Sequence, residues 1–379
     1  MVHILIAPNA FKNSLSATTA AEAIKEGLLR SDLDCDCVCF PIADGGDGTG
    51  ELIINKFRGA RFNEQVHDPL GKIINAPYGI INNDTGVIEM ASASGLALLK
   101  IDALDPLHAT TFGTGELIKV ALDMGMRKII LAMGGSATVD GGCGILLALG
   151  ARFLDSDKKD LEYLPESLID LAHIDLLGLD QRILETELTV LCDVDNKLLG
   201  AYGAAAVFGP QKGATETGIK KLEAALLNFN KITMQQFGTD MSAIEYSGTA
   251  GGAAAGLGSF LNARLVKGID YILDQFAFEK ALEKADIVIT GEGSIDEQTL
   301  RGKGPFGVAA RAKAKGLRVI ALAGKVPLHE SDKLKNYFDV LMSIGHEPSN
   351  MEAACQSALN NLTRTAKEIG NLLAIPNGR

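Results

Sequence analysis

The chain has 379 residues, of which 47% are hydrophobic and 22% are charged. This balance is typical of a folded globular protein and excludes a disordered or fibrous chain, and the length is enough for roughly two domains. Acidic side chains outnumber basic ones by 47 to 36, which gives a formal net charge of −11. Because such a charge repels the phosphates of nucleic acids, no nucleic-acid partner is expected.

The apolar segments of the chain are short. No run approaches the about 20 residues that a membrane helix needs, and the first residues lack the basic segment of a secretory signal. The six cysteines are too few for a disulfide framework. Cys35, Cys37 and Cys39 alternate as on one face of a strand and lack the spacing of a zinc site. We therefore expect a cytoplasmic protein with no membrane partner.

Both ends of the chain alternate strand and helix patterns. Apolar runs predict strands at 2–7, 35–42, 286–290, 318–322 and 339–343. Helical periodicity predicts helices at 16–30, 50–57, 304–315 and 350–373, the last with a capping box from Ser349 to Glu352. Neither end alone has enough strands for a stable parallel sheet. The sequence therefore predicts one discontinuous, doubly wound domain of the Rossmann or flavodoxin-like type, built from 1–66 plus 286–379.

The middle of the chain, 67–285, is predicted to be an inserted α/β domain with a mixed sheet. Strand-like or helical patterns lie between 66 and 90, at 127–150, at 187–191, near 217–236 and at 250–260. We expect the active site in the cleft between the two domains.

Charged residues follow the predicted strands of the first domain. They are Lys12, Asp44, Asp47, Glu292 and Asp296. In an open α/β sheet these positions share the carboxyl edge, where ligands bind. For any one of these acidic residues taken singly, turn formation is the better explanation, because Asp-Gly is a common turn pair. The set as a whole favours a site.

Two segments have the composition of an anion site. Glycine is abundant, with 42 residues, and one glycine-rich segment, Gly134-Gly135-Ser136, joins a predicted strand to a helix. Such a segment can cradle an anion with its backbone, although tight strand–helix packing is the alternative. Lys303 precedes a helix that has Pro305 in its first turn. An anion bound at this helix start and a solvated lysine side chain explain the position of Lys303 equally well. Thr114 is predicted to cap another helix.

Two further loops carry charged residues. Asp193 and Asp195 follow an apolar run, and alternate carboxylates suit Mg²⁺. Lys212 lies in a glycine- and proline-containing loop. The Walker and dinucleotide-binding glycine motifs are absent. A nucleotide would therefore need a different set of loops.

Short motifs rich in glycine, hydroxyl and charged residues extend from residue 10 to residue 303. They are Ala10-Phe11-Lys12-Asn13-Ser14-Leu15-Ser16, Pro41-Ile42-Ala43-Asp44-Gly45-Gly46-Asp47-Gly48-Thr49, Asp68-Pro69-Leu70-Gly71, Glu89-Met90-Ala91-Ser92-Ala93-Ser94-Gly95-Leu96, Gly113-Thr114-Gly115-Glu116-Leu117-Ile118, Gly134-Gly135-Ser136-Ala137-Thr138-Val139-Asp140-Gly141-Gly142, Asp193-Val194-Asp195-Asn196, Gly209-Pro210-Gln211-Lys212-Gly213, Ile289-Thr290-Gly291-Glu292-Gly293, Asp296-Glu297-Gln298-Thr299 and Gly302-Lys303. In this order they resemble the type-1 family of bacterial glycerate kinases. The chain departs from that family at Pro8-Asn9-Ala10, where Asp-Ser is usual, and at Asn13, where Gly is common.

The resemblance implies two α/β domains and the ATP-dependent phosphorylation of D-glycerate with Mg²⁺. It leaves open which hydroxyl reacts and the oligomeric state. Substrate and phosphate contacts are expected at Gly45, Gly46, Thr114, Gly134, Gly135, Ser136, Lys212, Gly291, Glu292 and Gly293. Catalytic roles are expected for Lys12, Asp44, Asp47, Asp296 and Lys303, and metal binding for Asp193 and Asp195.

Roles within that set follow from the demands of phosphoryl transfer, which needs positioning and charge neutralisation. Lys12, Lys212 and Lys303 are candidates for phosphate oxygens or the substrate carboxylate. Asp44, Asp47 or Asp296 would accept the hydroxyl proton. Two alternatives remain at this point: a non-catalytic two-lobed sensor of a small hydroxy acid or phosphate ester, and a different phosphotransferase or phosphatase on the same scaffold.

Overall fold

The structure is a computed structural model that describes residues 1–329 and 331–375. Its strands are β1 (Val2–Ile6), β2 (Cys35–Cys39), β3 (Ala60–His67), β4 (Ile73–Ile81), β5 (Thr85–Glu89), β6 (Lys128–Ala132), β7 (Arg152–Leu154), β8 (His173–Asp175), β9 (Glu187–Cys192), β10 (Arg264–Lys267), β11 (Ile287–Ser294), β12 (Arg318–Lys325) and β13 (Val340–Ser343). Its α-helices are α1 (Ala17–Leu29), α2 (Thr49–Lys56), α3 (Met90–Ser94), α4 (Phe112–Asp123), α5 (Cys143–Ala148), α6 (Ala204–Phe208), α7 (Glu216–Phe237), α8 (Ala253–Phe260), α9 (Gly268–Gln275), α10 (Phe278–Leu282), α11 (Gly304–Ala314), α12 (Asp332–Lys335), α13 (Met351–Gln356) and α14 (Ala358–Ala374). None of these helices combines the length and apolar character needed to cross a membrane.

The chain divides into two compact units. The first unit contains Met1–Asp44 and the chain from Ile269 onward, and the second unit contains Gly45–Gly268. These junctions differ from those that the sequence suggested, at 66/67 and 285/286. The difference arises because β3 pairs with β4 and α2 packs on β4 and β5, all in the second unit. Likewise, Phe278 in α10 packs its ring against Phe40 of the first unit, with centroids 5.1 Å apart.

The first unit is built on a five-stranded parallel sheet in the order β13-β12-β11-β1-β2. Numbered within this unit, the order is 2-1-3-4-5, the flavodoxin-like arrangement of a doubly wound sheet. Ile6 in β1 pairs with Cys39 on one side and Ile289 on the other. Helices α1 and α14 pack together, and their apolar faces join the core with Ile24 and Leu362. The predicted parallel α/β architecture is confirmed.

The second unit is built on a six-stranded sheet in the order β10-β9-β6-β5-β4-β3. Strands β5, β6, β9 and β10 are parallel, whereas β4 is antiparallel to both of its neighbours. The sheet is therefore mixed, as predicted. Ile88, Leu131 and Val190 of these central strands belong to the core of this unit, and so does Phe229 of the long helix α7.

Three local predictions need correction. The predicted helix 350–373 is divided into α13 and α14 at Ser357, and its first cap is Asn350, whose side chain accepts a hydrogen bond from the Ala353 N–H at 2.9 Å. The capping box that begins at Ser349 is therefore wrong. Thr114 does not cap α4, because that helix begins two residues earlier, with Thr111 at its N-cap. Glu292 lies inside a strand, since the pairing of β11 with β12 continues to Ser294.

Candidate active site

In the first unit, four of the predicted site residues form one electrostatic group. Glu292 lies near the carboxyl end of β11, and Lys303 is the N-cap residue of α11. The charges of Lys303, Asp44 and Asp296 all act on Glu292. Three of the five strand-end residues that the sequence singled out, Asp44, Glu292 and Asp296, therefore interact with one another and with Lys303.

Asp44 holds the start of helix α11. Its Oδ2 accepts hydrogen bonds from Asn9 Nδ2 at 3.0 Å and from the Gly304 N–H at 3.1 Å. The carboxylate thus stabilises backbone N–H groups that have no partner within the helix. The approach is close, because a Cβ on Gly304 would lie 2.8 Å from Ile42 Cδ1. The sequence analysis missed Asn9, although it follows a strand in the same way as Lys12.

Glu292 is the buried acid of this group, with 6% of its surface exposed. Thr299 Oγ1 donates a hydrogen bond to Glu292 Oε1 at 3.1 Å. Burial raises the pKa of Glu292 to about 7. Lys303 and the Thr299 hydrogen bond oppose that shift, whereas the negative charges of Asp44 and Asp296 increase it. Glu292 can therefore exchange a proton near neutral pH.

Asp296 and Lys12 differ from the buried acid in their surroundings. Asp296 Oδ1 accepts a hydrogen bond from the Gln298 N–H at 2.8 Å, which is the side-chain turn that the alternative interpretation anticipated. Lys12 is exposed, and its backbone nitrogen would lie 3.5 Å from a Cβ on Gly293. The loop that carries Lys12 turns at Asn13, whose φ of 61° is tolerated by asparagine and glycine.

In the second unit, two glycine segments meet backbone to backbone. The Gly134 N–H donates to the Gly45 carbonyl at 2.9 Å, and a Cβ on Gly134 would lie 2.4 Å from Gly46 Cα. Gly135 has a φ of +75°, and a Cβ there would lie 1.9 Å from Asp47 Oδ1. Glycine is required because no side chain fits between these segments. Asp47 thus belongs to the second unit and lies beside Gly135.

Glu89 holds the segment that carries Asp47, a role that the sequence analysis missed. Its Oε1 accepts a hydrogen bond from the Gly50 N–H at 2.7 Å, and the Gly48 N–H also binds this carboxylate. Burial raises the pKa of Glu89, and the Asp47 charge adds to the shift. Glu89 is the last residue of β5. Its position at the end of an apolar run of strand length is the sequence feature that could have indicated this role.

Lys212 is buried beneath the glycine segment. Its Nζ donates to Ser136 Oγ at 2.9 Å and to the Thr138 carbonyl at 2.7 Å. Burial lowers the pKa of Lys212 to about 8, and the charges of Asp140 and Asp193 oppose that shift. The loop lysine of the sequence is therefore a buried cation that fixes the backbone between 136 and 138.

Asp140 fixes the other end of the same segment. Asp140 Oδ2 accepts hydrogen bonds from the Thr111 N–H and Thr111 Oγ1, both at 2.8 Å. Burial raises the pKa of Asp140, and these hydrogen bonds oppose the shift. Thr114 follows Thr111 by three residues, and its Oγ1 lies 2.7 Å from Ser94 Oγ in a buried hydrogen bond. Thr114 therefore contributes a buried hydroxyl to this unit.

The two predicted metal ligands follow β9. Asp193 is half-buried and its charge acts on Lys212, whereas Asp195 is exposed. Within residues 1–329 and 331–375, no three His, Cys, Asp or Glu side chains form a group that could hold a metal ion. Their role as ligands stays a prediction, as does the expected cleft.

Gly291 has a structural explanation of its own. It pairs with Leu322 of β12, and a Cβ on Gly291 would lie 2.2 Å from the Leu322 carbonyl oxygen. This glycine allows two strands to approach each other, and the described contacts assign it no further role.

Comparison with known proteins places this α/β scaffold among small-molecule kinases. A family model described as the glycerate kinase family matches residues 4–374. The chain is 42% identical to a glycerate kinase of Bacillus subtilis, covering 97% of this chain and 96% of the relative. It is 40% identical to a glycerate 2-kinase of Escherichia coli, with 98% of each chain covered.

A solved structure agrees with these relatives. A crystal structure from Salmonella typhimurium LT2, assigned as a glycerate kinase 2, matches with a TM-score of 0.82 and 41% identity, and 98% of each chain is covered. The chain belongs to the glycerate kinase family. Because its named relatives are enzymes, the alternative of a non-catalytic sensor is not supported.

Proposed function

We propose that this protein transfers the γ-phosphoryl group of ATP to the C2 hydroxyl of D-glycerate. Membership of the glycerate kinase family over residues 4–374 carries the proposal. The name of the Escherichia coli relative, glycerate 2-kinase, supports C2 rather than C3 as the site of phosphorylation. The proposal also needs groups that neutralise phosphate charge, hold a metal ion and receive a proton.

Phosphate binding is assigned to the glycine segments of the second unit. The contact between Gly134 and Gly46 keeps side chains out, so that backbone N–H groups can approach phosphate oxygens. Lys212 supplies a positive charge directly beneath this backbone through Ser136 and the Thr138 carbonyl. Lys12 and Lys303 are assigned to the substrate carboxylate or to further phosphate oxygens.

Mg²⁺ is proposed to accompany ATP, with Asp193 and Asp195 as its protein ligands. Carboxylates are the donors that this ion prefers, and Mg²⁺ in phosphoryl-transfer sites takes one or two of them together with phosphate oxygens. A pair of aspartates, rather than a closed cluster, therefore fits an ion that arrives with the nucleotide. When bound, Mg²⁺ neutralises charge on the phosphates.

The test is consumption of ATP that depends on added glycerate. We expect ADP to form with D-glycerate and Mg²⁺, and not when L-glycerate replaces it or when EDTA removes the metal. ³¹P NMR of the product should show 2-phosphoglycerate. ATP consumption that does not respond to D-glycerate would refute the proposed activity, and a 3-phosphoglycerate product would refute the C2 assignment alone.

A further inference from the structure

Glu292 lies where a doubly wound sheet opens a ligand crevice. In the 2-1-3-4-5 order, the chain leaves β1 toward one side of the sheet and leaves β11 toward the other. Ligands of such sheets bind outside the carboxyl ends of the strands at this switch point. Glu292 is in the last part of β11, and the Asn9 N–H after β1 donates to the carbonyl of the adjacent Gly291 at 2.8 Å.

The neighbouring acids are committed to fixed hydrogen bonds. Asp44 Oδ2 accepts from Asn9 Nδ2 and from the Gly304 N–H, and Asp296 Oδ1 accepts from the Gln298 N–H. These hydrogen bonds fix the positions of both carboxylates.

Glu292 differs from these aspartates in its burial and in the charges that act on it. It is buried, and the negative charges of Asp44 and Asp296 favour its protonated form, whereas Lys303 and the Thr299 hydroxyl favour its charged form. The balance gives a pKa of about 7, which suits a group that must both take and release a proton at neutral pH.

We propose that Glu292 is the proton acceptor of the phosphoryl transfer, an inference that rests on the proposed function. The glycerate hydroxyl oxygen forms a bond to the γ-phosphorus. The bond from that phosphorus to the bridging oxygen breaks, and its electron pair stays on ADP. The hydroxyl proton passes to the Glu292 carboxylate, which then releases it to solvent.

The experiment is the pH dependence of kcat and kcat/KM between pH 5.5 and 9. For the wild type we expect activity to fall below about pH 7 as Glu292 becomes protonated, tenfold per pH unit at the acidic end. Glu292→Gln should lower kcat by about 100-fold or more and remove this inflection, because a positioned base contributes roughly 10²–10⁴-fold. ATP binding, measured by calorimetry, should change less than kcat does.

Two further variants keep the test decisive even if Glu292→Gln folds poorly. Thr299→Val removes the hydrogen bond to Oε1, and Lys303→Met removes the neighbouring positive charge. Both interactions favour the charged carboxylate, so each substitution should move the inflection to higher pH. Glu297→Gln is the matched control, since this exposed acid of the same loop pairs with Lys333 and Ser331, and the profile should not change.

Other outcomes would overturn the inference. If Glu292→Gln retains the wild-type inflection, or if Thr299→Val and Lys303→Met leave it at the same pH, Glu292 is not the acceptor. Loss of the inflection in Asp44→Asn or Asp296→Asn, with Glu292→Gln unaffected, would assign the role to that aspartate. A wild-type protein without glycerate-dependent activity would instead refute the proposed function itself.

Discussion

The carboxyl edges of the two sheets differ in the groups that lie there. In the first unit, side-chain charges dominate, with Glu292 surrounded by Asp44, Asp296 and Lys303. In the second unit, backbone dominates, and Gly134 lies against Gly46 with no room for a side chain. The same kind of sheet edge thus gathers charged side chains in one unit and brings two backbone segments together in the other. Substitutions should therefore change the pH dependence in one unit and the geometry in the other.

The largest effect is expected for Gly134→Ala. The added Cβ would lie 2.4 Å from Gly46 Cα, so that one of the two backbone segments must move. Overpacking of this kind costs about 1–3 kcal/mol of stability. Displacement by roughly 1 Å of the backbone that we propose binds phosphate should lower kcat/KM by about 100-fold. Steady-state kinetics and urea unfolding measure the two effects.

Gly258→Ala is the matched control in the same unit. Its Cβ would have ordinary contacts, the nearest at 3.5 Å, and the residue lies within α8. Alanine in a helix restricts the unfolded chain, so stability should stay the same or rise by up to about 1 kcal/mol. Equal activity of the two alanine variants would contradict the close-approach interpretation of the second unit.

The next effect in size concerns Lys212, the charged residue that supports the backbone of the second unit. Lys212→Met removes the donor to Ser136 Oγ and the Thr138 carbonyl. A buried acceptor that loses its donor costs about 1–3 kcal/mol, which urea unfolding near pH 7 should show.

The stability difference between the wild type and Lys212→Met should depend on pH, and its direction can be worked out. The pKa of Lys212 is about 8 in the folded protein and 10.5 in the reference state, so the unfolded chain binds more protons between these values. The wild-type free energy of unfolding therefore gains a contribution as pH rises from 8 to 10.5, and Lys212→Met lacks it. The stability difference between the two proteins should widen over that range. A constant difference would mean that Lys212 is not held in a desolvated site.

Local patterns in the sequence were enough to predict the first unit's sheet and its acidic edge. The helix predicted at 16–30 is α1, which begins at the Ser16 cap, and the acids that follow separate strands do lie together. These features depend on short-range periodicity and on the rule that parallel strands share a carboxyl edge.

The features that the sequence did not predict depend on distant contacts. The hydrophobic periodicity of α2 would be the same whichever sheet the helix packs on. The sequence around Asp44 therefore does not indicate that the first unit ends there. The sequence places Lys212 in a loop, yet its side chain donates a hydrogen bond to Ser136, 76 positions away. The sequence places Glu292 in a loop. It lies in a buried strand because the pairing of β11 with β12 continues beyond it, to Ser294. Burial and its electrostatic consequences follow from such contacts.

The smallest effect should separate turn formation from charge at the acidic edge. Asp296 accepts the Gln298 N–H at 2.8 Å, a contact that an asparagine side-chain oxygen can reproduce and an alanine cannot. Asp296→Ala should therefore cost about 1 kcal/mol of stability, and Asp296→Asn only a few tenths of that. Thermal and urea unfolding of both variants give the comparison. If Asp296→Asn costs as much as Asp296→Ala, the charge rather than the turn stabilises this loop.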